Sequence, residues 1–258
     1  MTPSPQPRRS LDHAATSWPK PAPVIDAIIH AARDVGAAAG RGTHASALAA
    51  GSTRAAARAA AARVAGFAEE RVALVAGATL GLNMAIHGLV EPGWHVLATA
   101  ADHNATLRPL GALAERGVIE LGIVPCDGAG RVDPDDVVRA WRPSTRLVVF
   151  SHASNVTGTL QDAEAIVTRA RERGGISIVD AAQSAGVAAP PRTADVVVAP
   201  GHKWLQGPQG IALVAVRAGI EPRCIVQGGT GTESESLAMP SGLVDRLEAG
   251  TPEIGRAH

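Results

Sequence analysis

Short apolar runs separated by stretches with a helical pattern dominate the chain. Seven runs rich in β-branched residues predict strands, and several are apolar at nearly every position, as in strands buried on both faces. Helical stretches lie between the first five runs, and two alanine-rich stretches precede them. The predicted strands are 72–76, 94–99, 119–124, 146–151, 176–180, 195–199 and 211–216. The predicted helices are 22–36, 45–65, 79–90, 105–116, 134–141 and 162–173.

The order of these elements predicts the topology. Alternating strands and helices are typical of parallel βαβ units, with helices on both faces of one sheet. The connections from the fifth strand to the seventh are too short for full helical crossovers, so we expect antiparallel pairing there. The fold class is therefore α/β, with a mixed, mostly parallel seven-stranded sheet.

Both ends of the chain differ from this pattern. The first ten residues, MTPSPQPRRS, predict a disordered leader and lack the apolar stretch of a signal peptide. Residues 227–236 (QGGTGTESES) are rich in glycine and hydroxyl groups, and 240–258 shows no further domain. We expect an N-terminal arm at 1–20, a large domain at 21–226, and a glycine-rich loop with the start of a truncated C-terminal domain at 227–258.

Composition narrows the class of protein. The 258 residues carry 24 Lys and Arg against 24 Asp and Glu, which gives no support to a nucleic-acid partner or a polybasic membrane surface. No apolar run approaches the length of a membrane-spanning helix. Two cysteines, Cys126 and Cys224, do not make a disulfide framework, and we expect a reducing cytoplasm. No metal site is expected.

Polar residues follow most of the predicted strands. In open α/β sheets, ligands bind beyond the carboxyl ends of the strands, so these residues are expected to meet at one edge. Gly77, Ala78 and Thr79 lead into a helix N-terminus, which suits an anion. The other strand ends add an imidazole, amides, a carboxylate and a lysine, in Asp102-His103-Asn104, Asn155, Asp180, Gln183 and Gly201-His202-Lys203.

This set matches the needs of pyridoxal phosphate (PLP), a cofactor for which the protein supplies orientation and electrostatics. A lysine amine can bond the cofactor, and a carboxylate beside the pyridine nitrogen favours its protonated form. Each residue alone has a plainer interpretation. Lys203 could be a surface lysine, His103 a helix-capping histidine, Asp180 a turn residue and Thr79 an N-cap. Arg54 and Arg58 fit a solvated helix face.

Seven segments, in order from about residue 11 to the end, resemble the class V aminotransferase, or cysteine desulfurase-like, family. They are LDHAATSWPKP (11–21), GATLGLNMAIHGL (77–89), DHNATLRPL (102–110), SHASNVTGTL (151–160), VDAAQSAG (179–186), PGHKWLQGPQG (200–210) and GGTGTESE (228–235). The resemblance implies the fold type I architecture of PLP-dependent transferases and PLP as the cofactor.

The resemblance also implies a role for each residue of the site. Lys203 would be the Schiff-base lysine, His103 the imidazole stacked on the ring, and Asp180 the partner of the pyridine nitrogen. Asn155 and Gln183 would face the phenolic oxygen. The phosphate would be held by Gly77, Ala78, Thr79 and His202. In the family's homodimers the glycine loop reaches the neighbouring subunit, which would assign Thr232 to the partner's phosphate.

Three departures from the family's pattern bear on function. His13 stands where the family usually has Asn, and Pro200 stands where it often has Ser. The small C-terminal domain, with the arginine that binds the substrate carboxylate and the nucleophilic cysteine, would lie beyond His258. Neither Cys126 nor Cys224 matches that cysteine. The leading expectation is a cysteine desulfurase-like enzyme acting on an amino acid. The alternatives are a class V aminotransferase or lyase, and a truncated, non-catalytic PLP-binding fragment.

Overall fold

The computed structural model describes residues 10–40, 42–233 and 235–251. Its seven strands are β1 (Val72–Val75), β2 (Trp94–Thr99), β3 (Ile119–Val124), β4 (Thr145–Ser151), β5 (Ile176–Asp180), β6 (Val196–Pro200) and β7 (Ala212–Val216). The α-helices of the described ranges are α1 (Ala22–His30), α2 (Ala45–Ala65), α3 (Ala78–Leu89), α4 (Asn104–Glu115), α5 (Pro134–Ala140), α6 (Ala163–Glu172) and α7 (Leu243–Leu247). Most of the predicted disordered leader, residues 1–9, lies outside the described residues.

All seven strands form one sheet in the order β1-β7-β6-β5-β4-β2-β3. The pairs β2–β3, β2–β4, β4–β5 and β5–β6 are parallel. The last strand, β7, runs antiparallel to both β6 and β1. The predicted mixed, mostly parallel sheet is therefore confirmed. The antiparallel pairing expected somewhere from the fifth strand to the seventh is also confirmed, and it joins β6 to β7.

Two apolar clusters cover the two faces of the sheet. On one face, Leu82 and Ile86 of α3 pack with α4 and α7 against side chains such as Val198. On the other face, α2, α5 and α6 pack against residues such as Val197. Gly81 permits the close approach of α3, because a Cβ there would lie only 2.7 Å from Val214 Cγ2. Helices thus cover both faces of the sheet, and the ends of the strands lie outside this cover.

Two expectations about the helices differ from the structure. The predicted helix 22–36 is interrupted, since α1 ends at His30 and a π-helical turn continues to Val35 before Gly36, which adopts a left-handed conformation. The solvated face expected for Arg54 and Arg58 is wrong. Both form ion pairs with the buried carboxylate of Glu248, because the segment after α7 covers this part of α2. In the described ranges, none of the helices combines the length and apolarity needed to cross a membrane.

Candidate active site

A cavity of about 700 Å³ opens at the carboxyl ends of the parallel strands. We call it the strand-end cavity. Nine of the ten residues predicted for the site line it, although they come from six separate stretches of the chain. These nine are Gly77, Ala78, Thr79, His103, Asn155, Asp180, Gln183, His202 and Lys203. The fold thus brings together almost the whole predicted constellation.

The N-terminus of α3 forms one wall of this cavity. Gly77 is the N-cap residue, with φ 137° and ψ 156°, a backbone conformation that side-chain-bearing residues rarely adopt. The interpretation of Thr79 as the N-cap is wrong, since α3 already begins at Ala78 and no described side chain caps it. The first backbone N–H groups of a helix have no partner within the helix, so they are free to bind an anion such as phosphate.

His103 also lines the cavity, at the start of α4. Its Nδ1 accepts a hydrogen bond of 3.0 Å from the backbone N–H of Ala105 and so caps the helix. The helix-capping interpretation and the site interpretation are therefore compatible. Because Nδ1 is an acceptor, the neutral ring carries its proton on Nε2. The cap fixes the plane of an imidazole that lines the cavity.

Asp180 ends β5 and is 3% exposed. Its Oδ1 accepts one hydrogen bond of 2.9 Å, from the backbone N–H of Ala182. Burial raises the pKa of this carboxyl, whereas the charges of His103 and Lys203 act in the opposite direction. Within the described residues, no cation lies within ion-pair distance of Asp180. A buried carboxylate of this kind favours a cationic ligand at its free side.

Lys203 follows β6 in a loop that backbone hydrogen bonds hold in place. The N–H of Gly207 donates to the carbonyl of Gly201 at 2.8 Å, and the N–H of Gly201 donates to that of Ile211 at 2.8 Å. Burial lowers the pKa of the Lys203 amine, and the charge of Asp180 opposes this shift. The amine has no hydrogen-bond partner among the described residues. It is therefore available as a nucleophile or a base.

The two amides of the site differ in their surroundings. Gln183 donates through Nε2 to the carbonyl of Ala14 at 2.9 Å and accepts at Oε1 from Trp204 Nε1 at 2.8 Å. Asn155 lies exposed in the loop after β4 and lines the same cavity. Because the amide of Gln183 is engaged on both sides, Asn155 is the freer of the two for a ligand.

Thr232 is the one predicted site residue that the structure places elsewhere. It lies in the exposed segment after β7, where its hydroxyl is 3.0 Å from that of Thr230. The prediction for Thr232 concerned the neighbouring subunit's site, so its position outside this chain's own cavity is compatible with that prediction but does not test it.

Two polar residues at or next to the cavity, Asp102 and Asn83, were not assigned a role from the sequence. Asp102 is half-buried and contacts two strand ends, accepting from the N–H of Thr99 at 2.7 Å and from that of Ser151 at 2.7 Å. Burial raises its pKa to about 7. Asn83 lines the cavity from the second turn of α3 and donates to the Thr79 carbonyl at 2.8 Å. Asp102 adjoins a strand end, a signal that could have found it, whereas Asn83 sits within a helix.

The chemical groups that line the cavity fit pyridoxal phosphate. One cavity holds a buried carboxylate and an amine that no described residue pairs with, together with a helix N-terminus that no described side chain caps. These match a cationic ring nitrogen, an aldehyde and a phosphate respectively. In the part of the chain that the structure covers, no cluster of three or more His, Cys, Asp or Glu side chains is arranged to hold a metal ion.

Comparison with known proteins places the chain in a family. The model of the aminotransferase class-V family matches residues 9–258, so the chain belongs to this family. A probable cysteine desulfurase of Methanothermobacter thermautotrophicus is 32% identical over 252 residues, covering 93% of this chain and 62% of the relative. A cysteine desulfurase of Klebsiella pneumoniae is 32% identical, covering 97% of this chain and 64% of the relative.

Solved structures agree with this assignment. The apo structure of the cysteine desulfurase from Thermococcus onnurineus superposes with a TM-score of 0.89 at 29% identity, over 95% of this chain and 64% of that one. A structure described as SspA in complex with cysteine superposes with a TM-score of 0.85 at 26% identity, over 97% and 70%. The chain thus spans about two thirds of the length of the proteins it resembles, and the predicted architecture is confirmed.

Proposed function

We propose that this chain binds PLP through Lys203 and is the cofactor-binding part of a cysteine desulfurase-like enzyme that acts on an amino acid. One observation carries the proposal. The amine of Lys203 and the carboxylate of Asp180, both without a bonded counter-ion among the described residues, line the same cavity as the N-terminus of α3. A structural lysine and a structural aspartate in one buried site would be expected to form a direct ion pair.

The residues of the cavity divide the work of binding and proton transfer. PLP, when bound, supplies an electron sink for the bonds at an amino acid's α-carbon. Asp180 would hold a proton on the pyridine nitrogen through its negative charge. His103, with its plane fixed by the cap on α4, would cover one face of the ring. Lys203, with its lowered pKa, would act as the base for the α-proton once its amine is free.

The substrate class rests on the relatives. Those compared above are named cysteine desulfurases, and one neighbouring structure is described as a complex with cysteine. Sulfur transfer also needs a thiolate near the substrate. Neither Cys126 nor Cys224 lines the strand-end cavity, so the described residues do not place a thiol there. Transamination or elimination on the same amino acid would need no such thiol, and the class V aminotransferase or lyase therefore remains the second candidate.

Assembly and location are further parts of the proposal. We infer a homodimer in which Thr232, on an exposed glycine-rich segment, serves the second subunit's phosphate. Light scattering with PLP present should give a dimer, and a monomer at all concentrations would contradict it. A reducing cytoplasm is supported by Cys126 and Cys224, which are both free thiols.

The cofactor proposal has a sharp test because Lys20 and Lys203 are the only lysines of the chain. The protein is incubated with PLP, reduced with borohydride and mapped by peptide mass spectrometry. We expect the label on Lys203, with its loss in Lys203→Ala and its retention in Lys20→Arg as the matched control. Label on Lys20, or a Lys203→Ala protein that still turns yellow, would overturn the assignment. Exchange of an amino acid's α-proton in D₂O then separates an enzyme from a non-catalytic fragment.

A further inference from the structure

The two lysines of this chain meet at one place. Among 24 Lys and Arg residues, 22 are Arg, and the two exceptions are Lys20 and Lys203. Lys20 lies in the N-terminal arm, and its Nζ donates a hydrogen bond of 2.7 Å to the carbonyl of His202, the residue directly before Lys203. Lys20 is therefore hydrogen-bonded to the peptide group that joins His202 to Lys203.

The arm directs several donors at that single carbonyl. Besides Lys20 Nζ, the His202 oxygen lies 3.0 Å from Thr16 Oγ1, 3.1 Å from the backbone N of Ser17 and 3.1 Å from Ser17 Oγ. Lys20 Nζ also donates to Ser17 Oγ at 2.8 Å. Thr16 Oγ1 lies, in addition, 3.1 Å from Nδ1 of the His202 ring. Residues 16–20 thus form hydrogen bonds with both the backbone and the side chain of His202.

A carbonyl oxygen has two lone pairs, so it cannot accept four good hydrogen bonds at once. The bond from Lys20 is the shortest and is charge-assisted, which makes it the strongest. The backbone N–H of Ser17 has one donor direction and takes the second lone pair. The hydroxyl of Thr16 is then released from the carbonyl and can donate to Nδ1 of His202. A neutral imidazole that accepts at Nδ1 carries its proton on Nε2.

We propose that Lys20 is a positioning residue, which fixes the peptide between His202 and Lys203 and holds the His202 ring in the neutral form protonated on Nε2. The proposal rests on the proposed function, because His202 and Lys203 matter in this way only if they serve the cofactor. His202 lines the strand-end cavity, so an Nε2–H there is a donor suited to an anionic group such as phosphate.

The charges near His202 also favour the neutral form of its ring. Burial lowers the pKa of His202, and the charges of Lys203, on its own loop, and Lys20, on the arm, lower it further. Arginine would not substitute well at position 20. A compact ammonium can donate to Ser17 Oγ and the His202 carbonyl together, whereas a guanidinium is a broad planar fork. This is a physical reason for a lysine at this position in a chain that otherwise uses arginine.

The test uses the full 258-residue chain without cofactor. Nitrogen-15 NMR of the labelled histidine rings reports tautomer and charge, with the His202 signal assigned from a His202→Gln variant. Hydrogen exchange of the Gln206 and Gly207 amides, which donate to the carbonyls of Lys203 and Gly201, reports the loop. The variants are Lys20→Met and Thr16→Val, with Arg63→Met as a matched control that removes an exposed cation of α2.

We expect wild type and Arg63→Met to show a neutral, Nε2-protonated His202 at pH 7. In Lys20→Met the pKa of His202 should rise, the tautomers should mix, and loop exchange should accelerate about tenfold. Lys20→Arg should restore the charge effect but not the slow exchange. Should Lys20→Met fail to fold, Thr16→Val decides, since it should mix the tautomers while leaving the loop protected.

A wild-type tautomer and wild-type exchange in Lys20→Met, or an unchanged tautomer in Thr16→Val, would overturn the inference. These measurements need no cofactor, so they fail or succeed separately from the borohydride test of Lys203. A correct tautomer with no label on Lys203 would refute the proposed function alone. A label on Lys203 with an unaffected ring would refute the role of Lys20 alone.

Discussion

Two buried aspartates lie at opposite edges of the same pair of strands, and their surroundings differ. Asp195 precedes β6 at the amino edge and is 1% exposed. It accepts from Ser177 N at 2.8 Å, from Ser177 Oγ at 2.9 Å and from Arg217 Nε at 2.7 Å. Asp180, at the carboxyl edge, is nearly as buried, but among the described residues it accepts only from the N–H of Ala182.

The contrast separates a carboxylate that stabilises the fold from one that, under the proposed function, is kept for a ligand. Asp195 ties β5, β6 and the end of β7 together, and its charge is met by Arg217. No described residue forms an ion pair with the carboxyl of Asp180, and burial raises the pKa of this group. A buried carboxyl without an ion-pair partner costs folding free energy, and such groups are found where binding or catalysis requires them. Degree of burial therefore does not distinguish the two edges, whereas hydrogen-bond satisfaction does.

The largest expected effect follows from removing the charge of Asp180. Asp180→Asn keeps the shape but removes the charge that would hold the pyridine nitrogen protonated. We expect PLP still to bind and α-proton exchange of the amino-acid substrate to fall roughly 100- to 1,000-fold. Asp195→Asn should leave the rate per folded molecule near that of wild type. Unaltered exchange in Asp180→Asn would refute the role of this carboxylate.

For stability we expect the opposite ranking of the two variants, with the larger loss in Asp195→Asn. Asp195→Asn replaces an acceptor of several hydrogen bonds and the partner of Arg217, so we expect the free energy of unfolding to fall by about 2–3 kcal/mol. Asp180→Asn should change it by no more than about 1 kcal/mol, because little is bonded to that side chain. Urea denaturation of the cofactor-free protein measures both. Equal losses in the two variants would remove the distinction between the edges.

Asp102 should differ from both Asp180 and Asp195 in the way it makes stability depend on pH. Its pKa is about 7 in the folded chain, against 3.8 for an ordinary aspartate, because of burial. The native state then binds more protons than the unfolded state between these values, so this group's contribution to stability is present at low pH and is lost as pH rises from about 4 to 7. Relative to Asp102→Asn, wild type should gain about 3 kcal/mol as pH falls from about 7 to about 4. Parallel curves would contradict the assignment.

The smallest effect is expected at the cysteines. Cys224 Sγ lies 3.0 Å from the carbonyl oxygen of Val226 and 3.2 Å from that of Arg246, and its single S–H can donate to either. Burial raises the pKa of this thiol, which disfavours the reactive thiolate. Cys126 packs against the cluster formed by α2, α5 and α6. Cys126→Ser and Cys224→Ser should leave α-proton exchange within about twofold of wild type. Alanine and sulfide release from cysteine that either substitution abolished would instead reveal a nucleophile outside the cavity.

Much of the site was predictable because it obeys a simple rule. Polar residues directly after buried parallel strands meet at one edge, and this rule brought His103, Asp180 and Lys203 into one cavity. The rule has no information about residues whose role depends on distant contacts. Lys20 meets His202 across 182 positions of sequence, and Arg58 meets Glu248 across 190. Neither pair leaves a periodic or spacing signal in the chain.

The amino-acid sequence by itself determined the sheet, its mixed direction and the identity of the residues at its carboxyl edge. These follow from local properties, namely the apolar runs, the lengths of the connections and the side chains next to each strand. Only the tertiary structure decided which of those side chains are satisfied and which are left open. Asp195 and Asp180 look alike in sequence, as aspartates beside valine-rich strands. Their difference depends on Arg217, Ser177 and the cavity, because hydrogen bonding and desolvation are set by groups that approach through space.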